Sequence, residues 1–286
     1  MIAAALAAAV LHATSPLPVD RAAGRRGAAF LKGQPPGSEL GVEADTVVAL
    51  VSAGVDPGSH LTRLRALVPA GTQTPGAAAK AALAAEAAGA DPRCFAGVDL
   101  VARIRSGYGA GVYGATVFDD SLAITALAGA DEAVPAAARA ALRRMRRTGG
   151  YGLSVAGAGR DDPDTTGMAL MALRAAGAPR RDPAVRGAVR WLLAQRLPGA
   201  GWAGAAGTST VSNSTGLALR GLTAAGVGWP AGAATALRRL QGPDGGFDAT
   251  REAPGSRQLA TLDSVPALLG ATLPVASRTT PGTSCG

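Results

Sequence analysis

The sequence predicts an all-α protein built from repeated helical hairpins, and three observations lead to this expectation. Hydrophobic residues make up 48% of the 286 residues but aromatic residues only 3%, so small and aliphatic side chains dominate the apolar content. Alanine is the strongest helix former, and long alanine-rich stretches are separated by clusters of glycine and proline. Similar segments also recur along the chain, which is typical of stacked helical units.

The first residues resemble a secretory signal. Residues 1–10 are apolar, and the small residues Ala13 and Ser15 follow them, as at a cleavage site. No lysine or arginine precedes the apolar run, so the signal is incomplete or residues 1–18 form an alanine-rich helix instead. We expect an extracellular or cell-surface protein, and otherwise a cytoplasmic one. No apolar run reaches the roughly 18 residues that a transmembrane helix needs.

The repeats lie within residues 19–274, which we predict to be one domain. One type of segment is a helix that stops at a glycine-rich turn, and it is clearest at residues 186–195, where Trp202 follows the turn. Similar segments occur at residues 26–34, 141–151 and 236–247. The remaining residues, 275–286, are rich in Thr, Pro, Gly and Ser and are expected to form a flexible tail.

A second type of segment supplies the partner helix of each hairpin. Residues 164–177 recur as residues 213–226, with eight of fourteen positions identical. Asp, Asn, Ser or Thr would cap the start of each such helix, and Gly54, Gly89, Gly177 and Gly226 would end four of them. A single hairpin cannot bury its apolar face, so five or six must stack and could close into a ring. Helices rich in Ala, Gly and Leu belong inside, and arginine-bearing helices such as residues 135–147 outside.

Residues 186–195 read Arg-Gly-x-x-x-Trp-Leu-Leu-x-Gln and, with Trp202, resemble the Gln–Trp repeat of terpenoid cyclases. Residues 241–247, QGPDGGF, resemble the corresponding segment of protein prenyltransferase β subunits. The resemblance covers about residues 20–272 and implies an α/α toroid of about five to six stacked helical hairpins. This family includes cyclases, prenyltransferases and toroids that bind cobalamin or carry out thioester chemistry, so the fold alone does not decide the function.

Residues 162–167, Asp-Pro-Asp-Thr-Thr-Gly, resemble the Asp-x-Asp-Asp-Thr-Ala motif of class II cyclases. The resemblance implies that Asp164 is the acid that protonates an alkene and that Asp162 assists it. An aspartate in an apolar cavity can be held protonated for this purpose. Thr165 stands where the motif has its last aspartate, which removes part of the support. Asp164 could instead be an ordinary helix N-cap, because Asn213 occupies the equivalent position in the next repeat.

Further candidates for binding a ligand are the polar residues at helix starts and the aromatic residues of the turns, namely Thr165, Asp119, Asp120, Asn213, Ser214, Trp202, Tyr151 and Phe247. Capping is the simpler explanation for Asp119, Asp120 and Ser214. Cyclases line their cavities with aromatic faces that stabilise cations. Only 3 Trp, 3 Tyr and 4 Phe are present, and several of them occupy repeat positions that pack between hairpins.

Several functions are disfavoured by the composition. The zinc site of prenyltransferases needs Asp, Cys and His, but the two histidines are His12 and His60, and Cys94 has no aspartate two residues before it. We therefore expect neither a metal nor a resident cofactor. The net charge is +8, but the arginines are spread along several helices, with one cluster at residues 143–147 and no interleaved aromatic residues, so we expect no nucleic acid partner. The sequence leaves open whether Cys94 and Cys285 form a disulfide.

The sequence thus favours a monomeric, non-catalytic toroid. It would bind an elongated apolar, isoprenoid-like or cobalamin-like ligand in the funnel of the ring, or act as a surface-interaction module. The alternative is a reduced class II terpene cyclase that uses Asp164 and Asp162. A third hypothesis is that the arginines of residues 143–147 bind anionic polymers or lipid.

Overall fold

The computed structural model describes residues 19–199, 201–204, 207 and 209–275. The predicted signal segment lies outside the described residues, as do residues 276–286 of the predicted tail and, with them, Cys285 of the possible bridge. The described residues contain twelve α-helices: α1 (Arg21–Lys32), α2 (Leu40–Ser52), α3 (Ser59–Gly71), α4 (Pro75–Ala87), α5 (Leu100–Ser106), α6 (Val117–Gly129), α7 (Ala136–Arg144), α8 (Pro163–Ala175), α9 (Pro183–Ala194), α10 (Ser212–Ala224), α11 (Ala233–Arg238) and α12 (Arg257–Leu268).

The even-numbered helices form a closed inner ring. Each of them packs against the next even-numbered helix, and α12 returns to pack against α2. The odd-numbered helices lie outside this ring, each against one or two inner helices. Two short antiparallel strands, β1 (Tyr151–Gly152) and β2 (Asp161–Asp162), pair just before α8. The predicted all-α toroid is confirmed, with six outer and inner pairs.

Small residues allow the inner helices to approach closely. A side chain at Gly221 of α10 would lie only 2.7 Å from the Cα atom of Gly167 in α8. In α4, nine of the thirteen residues are buried and seven of these are alanine. The outer helices are amphipathic instead; α1, for example, buries Ala28 and Leu31 and exposes Arg21 and Arg25. The predicted division into small-residue inner helices and arginine-bearing outer helices is confirmed.

The ends of the inner helices are specified locally. Thr74 and Thr116 cap α4 and α6, because their side chains accept hydrogen bonds from backbone N–H groups three residues later. Four glycines follow inner helices with φ between 68° and 82°, the left-handed region that glycine adopts without strain: Gly54, Gly89, Gly177 and Gly226. These four glycines are the helix ends that the sequence predicts.

A recurring hydrogen bond ties four of the turns to the inner helices that follow them, α6, α8, α10 and α12. The backbone N–H group of an aromatic residue in the turn donates to a side-chain oxygen of the inner helix. The pairs are Tyr113 with Asp120, Tyr151 with Thr166, Trp202 with Thr215, and Phe247 with Thr261, all at 2.9–3.0 Å. This contact buries the aromatic side chains between neighbouring units.

Candidate functional site

The start of α8 is built around Asp162. Asp162 is the N-cap: its Oδ1 atom accepts the backbone N–H of Thr165 at 2.7 Å, and its Oδ2 atom accepts the Thr165 hydroxyl at 2.9 Å. Pro163 occupies the first helical position, where its missing N–H costs nothing. The hypothesis that Asp164 caps this helix is therefore wrong by two residues, and its side chain is released from that task.

Asp164 follows in the first turn of α8 with a carboxyl group that is only partly used. Its Oδ1 atom is buried and has no hydrogen-bond partner. The pKa of Asp164 is raised to about 6: burial is the largest cause, the Ser214 hydroxyl beside it acts in the opposite direction, and the carboxylates of Asp162 and Asp263 act with burial. Burial also raises the pKa of Asp162, against the hydrogen bonds from Thr165. Asp162 therefore has a structural role as the helix cap, while the raised pKa of Asp164 favours its protonated form.

Both aspartates line an open groove of about 800 Å³ between the starts of α6 and α8. Its apolar wall includes Phe118 of α6 and Leu153, which is 55% exposed. Its other lining residues are Ala115, Thr116, Ser154, Ala158, Gly159, Arg160 and Thr165. Phe118 is the single aromatic residue among those that line this groove. The groove offers an apolar wall on one side and Asp164 on the other.

The interior of the ring is different, because charged side chains fill it. Lys80 of α4 forms an ion pair with Asp45 of α2, and Arg220 of α10 pairs with Asp263 of α12 at 3.0 Å between Nη1 and Oδ1. These four residues line a cavity of only about 20 Å³, which Leu273 also borders. Such a volume holds about one water molecule. At this level of the ring, the funnel has no room for an elongated ligand.

Burial acts on the pKa values of the charged groups inside the ring. Burial lowers the pKa of the Arg220 guanidinium and raises that of Asp263, and in each case the partner's charge opposes the effect. For Lys80, burial acts to lower the pKa, but the Asp45 carboxylate outweighs it and the pKa is raised. The Nε and Nη2 atoms of Arg220 are buried without a partner. Two ion pairs therefore occupy this level of the ring interior, among the apolar side chains that also line the cavity.

The remaining polar candidates serve the helix starts. Asp119 and Thr116 bond reciprocally at the start of α6, at 2.8 and 3.0 Å. Asp120 accepts the Tyr113 N–H, and burial raises its pKa to about 6 against that hydrogen bond. The Nδ2 atom of Asn213 donates to the Leu259 carbonyl at 2.9 Å and lies 3.4 Å from Asp263 Oδ2. Asp120 is fully buried and Ser214 almost fully buried. Of the predicted polar candidates, only Asp162, Asp164 and Thr165 are among the residues that line the groove.

The three aromatic candidates are packing residues. Tyr151, Trp202 and Phe247 are each completely buried, and none of them lines the groove. The indole Nε1 atom of Trp202 donates to the Leu192 carbonyl at 2.7 Å, which joins the turn to α9. Their place in the repeated turn explains this burial. A ligand in the groove would not reach them in this conformation.

Sequence reasoning missed Phe118, Leu153 and Arg160 in the groove and Asp45, Lys80 and Arg220 in the ring. One signal for the second group was available, because Lys80 interrupts the alanine-rich run of α4. Within the described part of the chain, no group of three His, Cys, Asp or Glu side chains is placed to hold a metal ion. His60 instead lies 2.8 Å from Glu43, and both are fully buried. Nor is any described helix long and apolar enough to cross a membrane.

Comparison with known proteins supports the fold. No family model and no curated protein matches the sequence. Among solved structures, the type II terpene cyclase MstE from Scytonema, in complex with geranylgeranyl dihydroxybenzoate, has a TM-score of 0.67 at 15% identity, with 87% of this chain and 96% of that chain covered. ent-Copalyl diphosphate synthase from Streptomyces platensis has a TM-score of 0.54 at 14% identity. The match covers 81% of this chain and 50% of that chain.

A polysaccharide lyase is similar to the same extent, with a TM-score of 0.58 at 11% identity and with 87% of this chain and 97% of that chain covered. Proteins with unrelated chemistry therefore share this architecture. At these identities the similarity establishes a terpenoid-cyclase-like fold, and the function has to be argued from the site.

Proposed function

We propose that this protein binds an elongated apolar ligand, of the isoprenoid type, in the groove between the starts of α6 and α8. The observation that carries this proposal is the groove itself, whose volume of about 800 Å³ lies within the range of small-molecule sites. Phe118 and Leu153 supply apolar contact surface, and the exposed state of Leu153 is costly unless something covers it. At the level of the two ion pairs, the cavity inside the ring holds only about 20 Å³, which favours the groove as the ligand site.

The proposed role is binding without conversion of the ligand. A carbocation needs several aromatic faces around it, each contributing on the order of 1–2 kcal/mol when desolvated. Phe118 is the one aromatic residue that lines the groove, since Tyr151, Trp202 and Phe247 are buried between neighbouring units. Thr165, at the place of the motif's last aspartate, supports Asp162 rather than Asp164.

Binding is tested by incubating the full chain with squalene and with geranylgeranyl diphosphate, and identifying bound species by native mass spectrometry. Leu153→Glu should lower the bound fraction at least about tenfold, because a charge on the groove wall would have to be desolvated. Leu259→Glu is the matched control, since Leu259 is 44% exposed but lies away from the groove. Equal binding by both variants would contradict the proposal.

A second candidate, class II cyclisation with Asp164 as the acid, is favoured by one observation. Its Oδ1 atom is buried without a partner, and the raised pKa keeps part of the carboxyl population protonated near neutral pH. The same incubations separate the two functions. A cyclase would release products with the mass of the substrate but a new retention time, and Asp164→Asn would abolish them while leaving binding intact. Binding with no product in the unchanged protein would exclude cyclisation of that ligand.

A further inference from the structure

The net positive charge of this chain comes from one quarter of its sequence. Residues 133–200 contain twelve arginines and four aspartates, a net charge of +8. The rest of the chain contains sixteen basic and sixteen acidic residues and is therefore neutral. The net charge of the whole protein thus arises from α7, α8, α9 and their connections.

These arginines differ from the others in their partners. Elsewhere, several arginines pair with carboxylates, as Arg93 and Arg105 do with Glu132 and Arg257 does with Asp244. Among the twelve arginines of residues 133–200, only Arg143 forms an ion pair within the described part of the chain, with Asp182 at 2.9 Å. Of the others, Arg146 and Arg174 are partly buried, and the remaining nine are exposed without a carboxylate partner in the described part of the chain.

The charges form one surface on the outside of the ring. Arg143 joins α7 to Asp182, the N-cap of α9, so the end of α7 lies beside the start of α9. Exposed arginines occur on both helices and at their ends: Arg139, Arg144, Arg147, Arg186, Arg190 and Arg196. We call these six residues the arginine face.

The arginine face continues to the mouth of the groove. The Nη1 atom of Arg147 donates to the carbonyl of Gly159 at 2.7 Å, and Gly159 and the exposed Arg160 line the groove. Two of the three exposed large hydrophobic residues are also in this region: Leu153 at the groove, and Leu193, which lies on the same face of α9 as Arg186 and Arg190. Arginines interspersed with exposed leucines suit a surface that is anionic outside and apolar below it.

We propose that the arginine face docks onto an anionic lipid bilayer, with the groove mouth at the edge of the contact. Charge complementarity supplies the attraction, because each arginine near an anionic membrane surface contributes a favourable interaction that salt weakens. Leu193 and Leu153 add limited apolar contact. An apolar ligand could then pass between the bilayer and the groove without crossing water.

The test measures co-sedimentation of the full chain with vesicles of phosphatidylcholine alone and with one quarter phosphatidylglycerol, neither containing an isoprenoid. We expect binding to the anionic vesicles that declines steeply with salt. Arg186→Gln with Arg190→Gln should weaken it about 30-fold, since two charges are lost at about 1 kcal/mol each. The matched control is Arg21→Gln with Arg25→Gln on α1, two exposed arginines at the same spacing on another outer helix, which should change binding less than about threefold.

Three results would overturn the proposal. Equal loss in both double variants would assign the effect to net charge. Absence of binding to anionic vesicles, or binding that salt does not weaken, would remove the membrane as the partner. Binding to soluble heparin but not to vesicles would assign the face to an acidic polymer. Because the vesicles carry no groove ligand and Leu153→Glu leaves the arginines in place, failure of docking and failure of groove binding can be told apart.

Discussion

The first turns of α8 and α10 are the same piece of sequence used in two ways. They lie 49 residues apart, and Asp162, Asp164 and Thr165 of α8 correspond to Val211, Asn213 and Ser214 of α10. In α8, Asp162 caps the helix and leaves one oxygen of Asp164 without a partner. In α10, Val211 provides no side-chain cap, and the amide of Asn213 is occupied by the Leu259 carbonyl and Asp263.

The difference shows how a repeat can leave one polar side chain without a capping role. A cap two residues earlier takes over the task of satisfying the helix start, and the second polar residue becomes available to the groove. In α10 the corresponding polar residue is held in a network that joins α10 to α12 through Arg220 and Asp263. The α10 side is therefore expected to contribute stability, and the α8 side to cost stability, because a buried oxygen of Asp164 has no hydrogen-bond partner.

The largest effect is expected on the α10 side. Arg220→Met leaves the Asp263 carboxylate, which is 23% exposed, without the buried guanidinium that pairs with it, and breaking such a pair costs up to about 3–5 kcal/mol. The free energy of unfolding in denaturant measures this loss. Adding Asp263→Leu should recover most of it, because no buried charge then remains unpaired. A loss below about 1 kcal/mol in the single variant would mean that the network does not hold α10.

On the α8 side, Asp164→Asn should stabilise the protein, but only above acidic pH. The folded pKa is raised from 3.8 to about 6, so the folded state binds the proton more tightly than the unfolded state. The unchanged protein therefore loses stability as pH rises from about 4 through about 6, and Asp164→Asn does not. At pH 8 the variant should be more stable by about 2–3 kcal/mol.

At pH 4 the two proteins should have nearly equal free energies of unfolding, which makes the low-pH measurement the internal control. Lower stability of Asp164→Asn at pH 8 would show that contacts hold the carboxylate in its ionised form. In that case the two helix starts would not differ in the way described above.

The smallest effect concerns the caps. Asp162→Ala removes the side chain that accepts the Thr165 N–H and should destabilise the protein by about 1 kcal/mol, the usual cost of losing an N-cap. Val211→Ala is the matched change at the corresponding position of α10, where no cap bond exists, and should change the stability by less than about 0.5 kcal/mol. Thermal unfolding of both variants measures the difference, and equal losses would argue against a special role for Asp162.

Much of the ring could be predicted because its causes are local. Alanine-rich segments, capping residues and the glycines after inner helices each act within a few residues, and Gly54 and Gly177 end their helices as expected. The error at Asp164 was also local: Pro163 marks the first helical residue and thereby identifies Asp162 as the cap. The similarity between Asp164 and Asn213 concealed this, since both positions lie inside their helices.

The site itself depends on contacts between distant segments, which a repeat pattern does not contain. Phe118 and Leu153 meet at the groove because the ring places α6 beside α8 and β1 folds back before it. Lys80 and Asp45 are 35 residues apart, and Arg220 and Asp263 are 43 apart. Their encounter places two ion pairs at one level of the ring interior, and no single segment carries that information.

The contact between α12 and α1 also affects how the chain can fold. The backbone N–H of Asp20 donates to the Leu268 carbonyl at 3.0 Å, and Gly24 and Gly27 of α1 fit against Leu269 and Val265. The first described helix, α1, thus has part of its buried face covered by the last helix, α12. Open helical repeats can nucleate anywhere and grow outward, but here the α1 face stays uncovered until α12 has been synthesised, and such distant contacts slow folding. Folding should therefore finish in one late, cooperative step after synthesis of the ring.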